Sequence, residues 1–283
     1  MQNQNAPFEQ QVIVVGVGLI GGSVAAAVRK RIPDCAVIGI GRSEQRLREA
    51  QRNGLLTDWR TELTSDLLTS SVVVNCLPVN MIGPSVVETA ALASDDVLIT
   101  DAGSVKASIC DQVQSDPRAA RLFVPAHPIA GGEQSGFEFA DADLFCGRVC
   151  VVVETSETDR VARAERFWNS LGARIVRMSA AEHDRVLALT SHLPHVIAAV
   201  TAATVGSENL DLTGSGFRDT TRIAAGSASL WTAILSGNRS QVVAALQAAE
   251  TELRRFREAL AAGHDTQVQQ LLATAAQIRS TVD

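Results

Sequence analysis

Apolar runs alternate with stretches of helical periodicity along the first part of the chain, and the alternation stops at Met178. The runs fall at residues 12–15, 36–40, 72–76, 97–100, 122–124 and 149–153, with a last one at 173–178. They are apolar at consecutive positions rather than at every second one, so both faces must be covered, as in a parallel sheet between helices. Residues 43–53, 84–93 and 158–171 read as intervening helices, which predicts repeated βαβ units. After Met178 the pattern is helical, broken by a Gly-rich stretch at 214–216. Ser179 and Glu182 have the spacing of a capping box and start a helix at the boundary. The predicted architecture is an α/β domain over residues 1–179 followed by an all-α domain over 180–283. Alanine-rich runs at 196–205 and 242–249 have little polar face, so they call for burial on most sides, as in a homodimer interface.

The turn after the first strand sharpens the class. Gly16, Gly18 and Gly21 form GxGxxG between that strand and an apolar helix, the arrangement that lets a pyrophosphate approach backbone N–H groups at a helix N-terminus. This predicts a Rossmann-type dinucleotide-binding domain. Leu19 and Ile20 in the turn, and Leu77 and Asp101 at later strand ends, are the further cofactor candidates. A carboxylate at the end of the second strand would hold the ribose 2′-OH of NAD, but this chain has Gly41, Arg42 and Ser43 there. Arg42, with Ser43 and Arg46 nearby, can instead pair with a 2′-phosphate, so NADP is the expected cofactor, with NAD as the alternative.

Composition narrows the partners. The formal net charge is −6 and no basic run could track a phosphate backbone, which argues against nucleic acid. Five cysteines without CxxC spacing fit a reducing compartment. With no signal-peptide pattern at the N-terminus and no run that reads as a membrane span, the expectation is a cytoplasmic protein.

The chemistry-bearing residues collect at strand ends and in the helical part. TDAGSVK at 100–106 supplies Ser104, and AHPIAGGEQSG at 126–136 supplies His127 and Glu133 from a Gly/Pro loop after a strand. HDRVLALTSHLPH at 183–195 and GSGFRDTTRIA at 214–224 follow. A histidine beside a nicotinamide site can take the proton of a substrate alcohol as hydride leaves. Pro194 should kink its helix and aim His195 at the cleft, leaving His192 as the structural histidine. Three-residue spacing of His192 and His195 is insufficient for a metal set, and no metal is expected.

In these motifs, their order and their spacing, the chain resembles the prephenate and arogenate dehydrogenases of tyrosine biosynthesis. The resemblance implies oxidative decarboxylation of prephenate or arogenate with hydride transfer to NAD(P). It further implies that His127 receives the substrate hydroxyl's proton and that Ser104 positions that hydroxyl and the histidine. Arg222 would grip a carboxylate, with His195 and Glu133 around the substrate side chain and Trp231 an aromatic contact near the dimer interface. Arg218 stands where relatives often have lysine. Two other readings share parts of this pattern. A β-hydroxyacid dehydrogenase or imine reductase would use a lysine in the second domain, but none follows Met178. A non-catalytic redox sensor would not need a proton acceptor beside an anion grip.

Overall fold

The computed structural model describes residues 10–132 and 134–281. Six strands form one parallel sheet: β1 (Gln11–Val15), β2 (Ala36–Ile40), β3 (Asp58–Arg60), β4 (Val72–Asn75), β5 (Leu98–Asp101) and β6 (Phe123–Val124), in the order β3-β2-β1-β4-β5-β6. Helices α1 (Leu19–Arg31), α2 (Glu44–Arg52), α3 (Val79–Leu92), α4 (Ala107–Gln114) and α5 (Pro117–Leu122) connect them. The continuous apolar runs are explained by coverage on both sides. Val12, Val14, Val72 and Val74 face one core with Phe167 and Trp168, while the alternate residues Ile13, Val15 and Val73 face another with Ile82, Val86 and Ile109.

A second, three-stranded sheet carries β7 (Ala126–Pro128), β8 (Val149–Val153) and β9 (Arg174–Met178), with α6 (Thr158–Ser170) between the last two. Here the structure departs from the expected loop. His127 belongs to β7, which runs antiparallel to β8 with His127 opposite Val151. Three residues, the last a proline, are too short a stretch to show alternation, so the strand carries no pattern of its own. β3 escaped for the same reason. The second expected helix also shifts: α3 starts at Val79 rather than at residue 84 and holds Pro84 inside it.

After β9 the described chain is helical. Ser179 caps α7 (Ala180–Leu187), its hydroxyl accepting the Glu182 N–H at 3.1 Å. A π-helical turn, Ala188–His192, links α7 to α8 (Leu193–Val205), followed by α9 (Ser215–Thr221), α10 (Ala228–Gly237), α11 (Arg239–Ala261) and α12 (Asp265–Arg279). The expected proline kink is thus a π turn. Pro194 has no N–H to give the preceding turn, and the wider loop accommodates the missing bond while rotating His192 relative to an ideal helix. Residues Ala180–Val205 are long and apolar enough to cross a membrane by length and composition alone. That run is hydrogen-bonded to the first domain through Asp184. Val200, Leu212, Leu253 and Ile278 leave large apolar side chains exposed on the helical part.

Candidate active site

A cleft of about 940 Å³ opens at the C-terminal ends of β1, β4 and β5, the point where the strand order reverses and α1 and α3 leave on opposite faces. Gly18, Leu19, Ile20 and Leu77 line one side, Ser104 and His127 the middle, and Ser191, His192 and Trp231 from the helical part the other.

The glycine turn fits a pyrophosphate. Gly16 has φ +92°, and a Cβ there would lie 2.9 Å from the Cys76 carbonyl oxygen. A Cβ on Gly21 would lie 2.1 Å from the Gly16 oxygen, so α1 can approach the strand only without a side chain. No side chain caps the start of α1, and its first turn holds no acidic residue, which leaves backbone N–H groups for an anion.

Past β2, the three cofactor candidates have different situations. Arg42 is exposed and makes no ion pair among the described residues. Ser43 caps α2, and Arg46 pairs with Glu138 at 3.0 Å while lying over the Phe137 ring. Asp101 must be removed from the cofactor contacts. It is fully buried, accepts hydrogen bonds from the Gly103 and Ala126 N–H groups at 2.9 Å each, and pairs with the equally buried Lys106 ammonium. Its oxygens are occupied within the protein.

Four of the chain's five histidines are buried around the cleft. His127 Nδ1 lies 2.8 Å from His183 Nε2, and His183 Nδ1 lies 2.7 Å from Asp184 Oδ1. Asp184 in turn accepts the Lys106 and Ala107 N–H groups at 2.8 and 2.9 Å, so it caps α4 from across the domain junction. Asn238, after α10, donates to the Asp184 carbonyl at 2.7 Å and approaches His192 Nδ1 at 3.2 Å. Burial holds His127 well below its ordinary pKa, with the Lys106 ammonium acting in the same direction. Burial also lowers His183, against the opposing pull of Asp184, and brings His192 down to about 4. The rings are therefore neutral at neutral pH, and His127 is in a form that can accept a proton.

Several expected placements change. The ring partner of His127 is His183, whereas Ser104 lines the same cleft without bonding to the ring. His192 lines the cleft, while His195 stacks on the cleft residue Trp231 with centroids 3.5 Å apart, and its Nδ1 is buried without a partner among the described residues. Arg218 and Arg222 are exposed on the segment that packs over α8 and are not among the residues that line the cleft. Glu133 lies outside the described residues. His183, Asp184, Asn238 and Lys106 carried a partial signal: an adjacent His–Asp pair in the first turns of an apolar helix is an unusual place for two ionisable groups.

Comparison with known proteins agrees on one family. The model for "Prephenate dehydrogenase, nucleotide-binding domain" matches residues 24–177, and that for "Prephenate dehydrogenase, dimerization domain" matches 179–274. The chain is 33% identical over 261 residues to a cyclohexadienyl dehydrogenase of Zymomonas mobilis, covering 89% of each. It is 32% identical to a prephenate dehydrogenase of Bacillus subtilis, covering 83% of this chain and 66% of that one. Among solved structures, prephenate dehydrogenase of Aquifex aeolicus with hydroxyphenyl propionate and NAD+ superposes with TM-score 0.90 at 27% identity, covering 97% of this chain and 98% of that one. Synechocystis arogenate dehydrogenase gives TM-score 0.80 at 28% identity, covering 96% and 100%.

The neutral histidines make stability depend on pH. Because the folded state holds them below the ordinary value of 6.5, the unfolded chain binds more protons as pH falls, and stability drops from 6.5 downward. For His192 the loss continues to about 4. Urea unfolding should show a loss of about 2 kcal/mol between pH 8 and pH 5 from His192 alone, and His192→Gln should flatten that slope. A midpoint that rises on acidification contradicts the assignment.

Proposed function

This chain belongs to the prephenate and arogenate dehydrogenase family, and on that premise we propose how its cleft serves the NAD(P)-linked oxidative decarboxylation of prephenate or arogenate. The observation that carries the reading is a neutral His127 in the cleft, with Nδ1 engaged by His183 and Nε2 without a protein partner among the described residues. Nε2 takes the proton of the ring hydroxyl as the carbinol carbon is oxidised. Bound nicotinamide supplies the hydride acceptor. Cleavage of the bond to the ring carboxylate releases carbon dioxide, and the freed electron pair aromatises the ring, so His127 can return the proton to the phenolate oxygen. Ser104 borders the same space and is placed to orient the hydroxyl, while Trp231 forms an aromatic wall. Holding the substrate against the cofactor in this cleft is worth several kcal/mol of barrier.

Residues 1–179 bind the dinucleotide through Gly16, Gly18 and Gly21, and residues 180–283 complete the cleft and pair two copies of the chain. The exposed apolar side chains on the helical part and the match to a dimerisation domain support a homodimer. Sedimentation velocity should give a single species at twice the chain mass at micromolar concentration, and a monomer there overturns the pairing.

His127→Asn should lower kcat by about 10²–10⁴ with little change in KM, for whichever of prephenate and arogenate the unmodified chain turns over. The acid limb of kcat/KM should fall well below pH 6.5, since burial lowers the base. Wild-type kcat in the variant removes His127 from the reaction.

NADP is the preferred cofactor in this reading, supported by an Arg42 that makes no ion pair among the described residues and by the lack of a carboxylate at 41–43. Steady-state comparison should give a higher kcat/KM for NADP+ than for NAD+, and Arg42→Gln should cut that ratio about tenfold. A clear preference for NAD+ in the unmodified chain refutes it.

A further inference from the structure

The partners around Asp184 determine which nitrogen of each cleft histidine carries the proton. A peptide carbonyl can only accept, so the Asn238 atom 2.7 Å from the Asp184 carbonyl is the amide nitrogen, Nδ2. That NH₂ group has a second proton, and His192 Nδ1 lies 3.2 Å from the same nitrogen. His192 Nδ1 therefore accepts, and the proton of the neutral ring sits on Nε2. On the other branch, the Asp184 carboxylate receives His183 Nδ1–H at 2.7 Å, which leaves His183 Nε2 as a lone pair. His127 Nδ1, 2.8 Å away, must donate to it, and its Nε2 is bare.

We propose that Asp184, through its carboxylate on one side and its own peptide carbonyl on the other, locks His127 and His192 in opposite tautomers. His127 then presents a proton acceptor to the cleft, and His192 presents an N–H donor for a substrate oxygen of a carboxylate or keto group. Both rings line the cleft, and neither Nε2 has a partner among the described residues. His192 stands edge-on to Trp231 at 6.3 Å and 81°, which holds the plane of the ring. A donor and an acceptor suit a substrate whose hydroxyl must lose a proton while an anionic or carbonyl oxygen is held. His183, Asp184 and Asn238 are positioning residues, and His192 is a substrate contact. Because Asp184 also caps α4, the two tautomers are set only while the helical part is docked on the first domain.

The substrate assignment rests on the dehydrogenase reading, whereas the tautomers do not. Long-range ¹H–¹⁵N correlation spectra of the full chain, labelled in histidine and recorded at pH 8, report the protonated nitrogen of each ring. We expect His127 as Nδ1–H and His192 as Nε2–H, and the reverse tautomer at either ring overturns the proposal. In steady-state kinetics His192→Phe, which keeps an aromatic edge against Trp231, should lose about a hundredfold in kcat/KM. His192→Gln, which restores an amide N–H donor, should recover to within about tenfold of the unmodified chain. Equal losses in the two variants would leave His192 only a packing role and overturn the donor assignment. The spectra need no substrate, so they decide the tautomers even if the unmodified chain turns over neither prephenate nor arogenate, a result that would instead overturn the functional reading.

Discussion

Asp184 is where the helical part meets the nucleotide-binding part, and the cleft depends on that one residue. Its carboxylate takes two N–H groups at the start of α4 and the ring of His183, while its carbonyl takes the amide of Asn238. An N-terminal helix turn presents unpaired donors and partial positive charge, so a buried acid there is stabilised by the backbone it caps. The same acid then has one geometry available for His183, and His183 has one for His127. Docking of the two parts and orientation of His127 are thus a single arrangement of hydrogen bonds.

The parallel sheet makes that arrangement possible. Strand order β3-β2-β1-β4-β5-β6 sends α1 and α3 to opposite faces and leaves a crevice at the strand ends, where the glycine turn, Ser104 and β7 converge. Burial does the rest of the electrostatic work. A histidine exposed to water would titrate in the neutral range, but the rings here lose solvation on folding and stay neutral, which is the form a base requires. The buried Lys106 ammonium, paired with Asp101, acts in the same direction on the His127 ring.

Much of this was legible beforehand where a local pattern had a single physical meaning. Consecutive apolar residues in β1, β2, β4 and β8 require cover on both faces, and GxGxxG requires a backbone approach that Gly16 and Gly21 in fact make. Ser179 and Glu182 are close enough in sequence for a capping box to be read directly. Legibility ended where a residue's role came from a distant partner. Asp101 was at a strand end like a cofactor contact, yet its oxygens are taken by Gly103, Lys106 and Ala126. His192 reads as structural beside Pro194, yet the helix carries a π turn at Ala188–His192 and the His192 ring lines the cleft.

The sequence alone therefore determined the alternation of strands and helices, the glycine turn, the start of the helical part at Ser179 and the motifs that mark the family, because each is written in neighbouring residues. Tertiary structure decided which acid is buried in a structural pair, which histidine borders the cleft and which nitrogen of each ring bears a proton. Those properties depend on desolvation and on hydrogen-bond partners 46 to 78 residues apart along the chain, as between Asn238 and His192 or Asp184 and Lys106. Neither the loss of water nor the partner at that distance exists until the two parts are packed together.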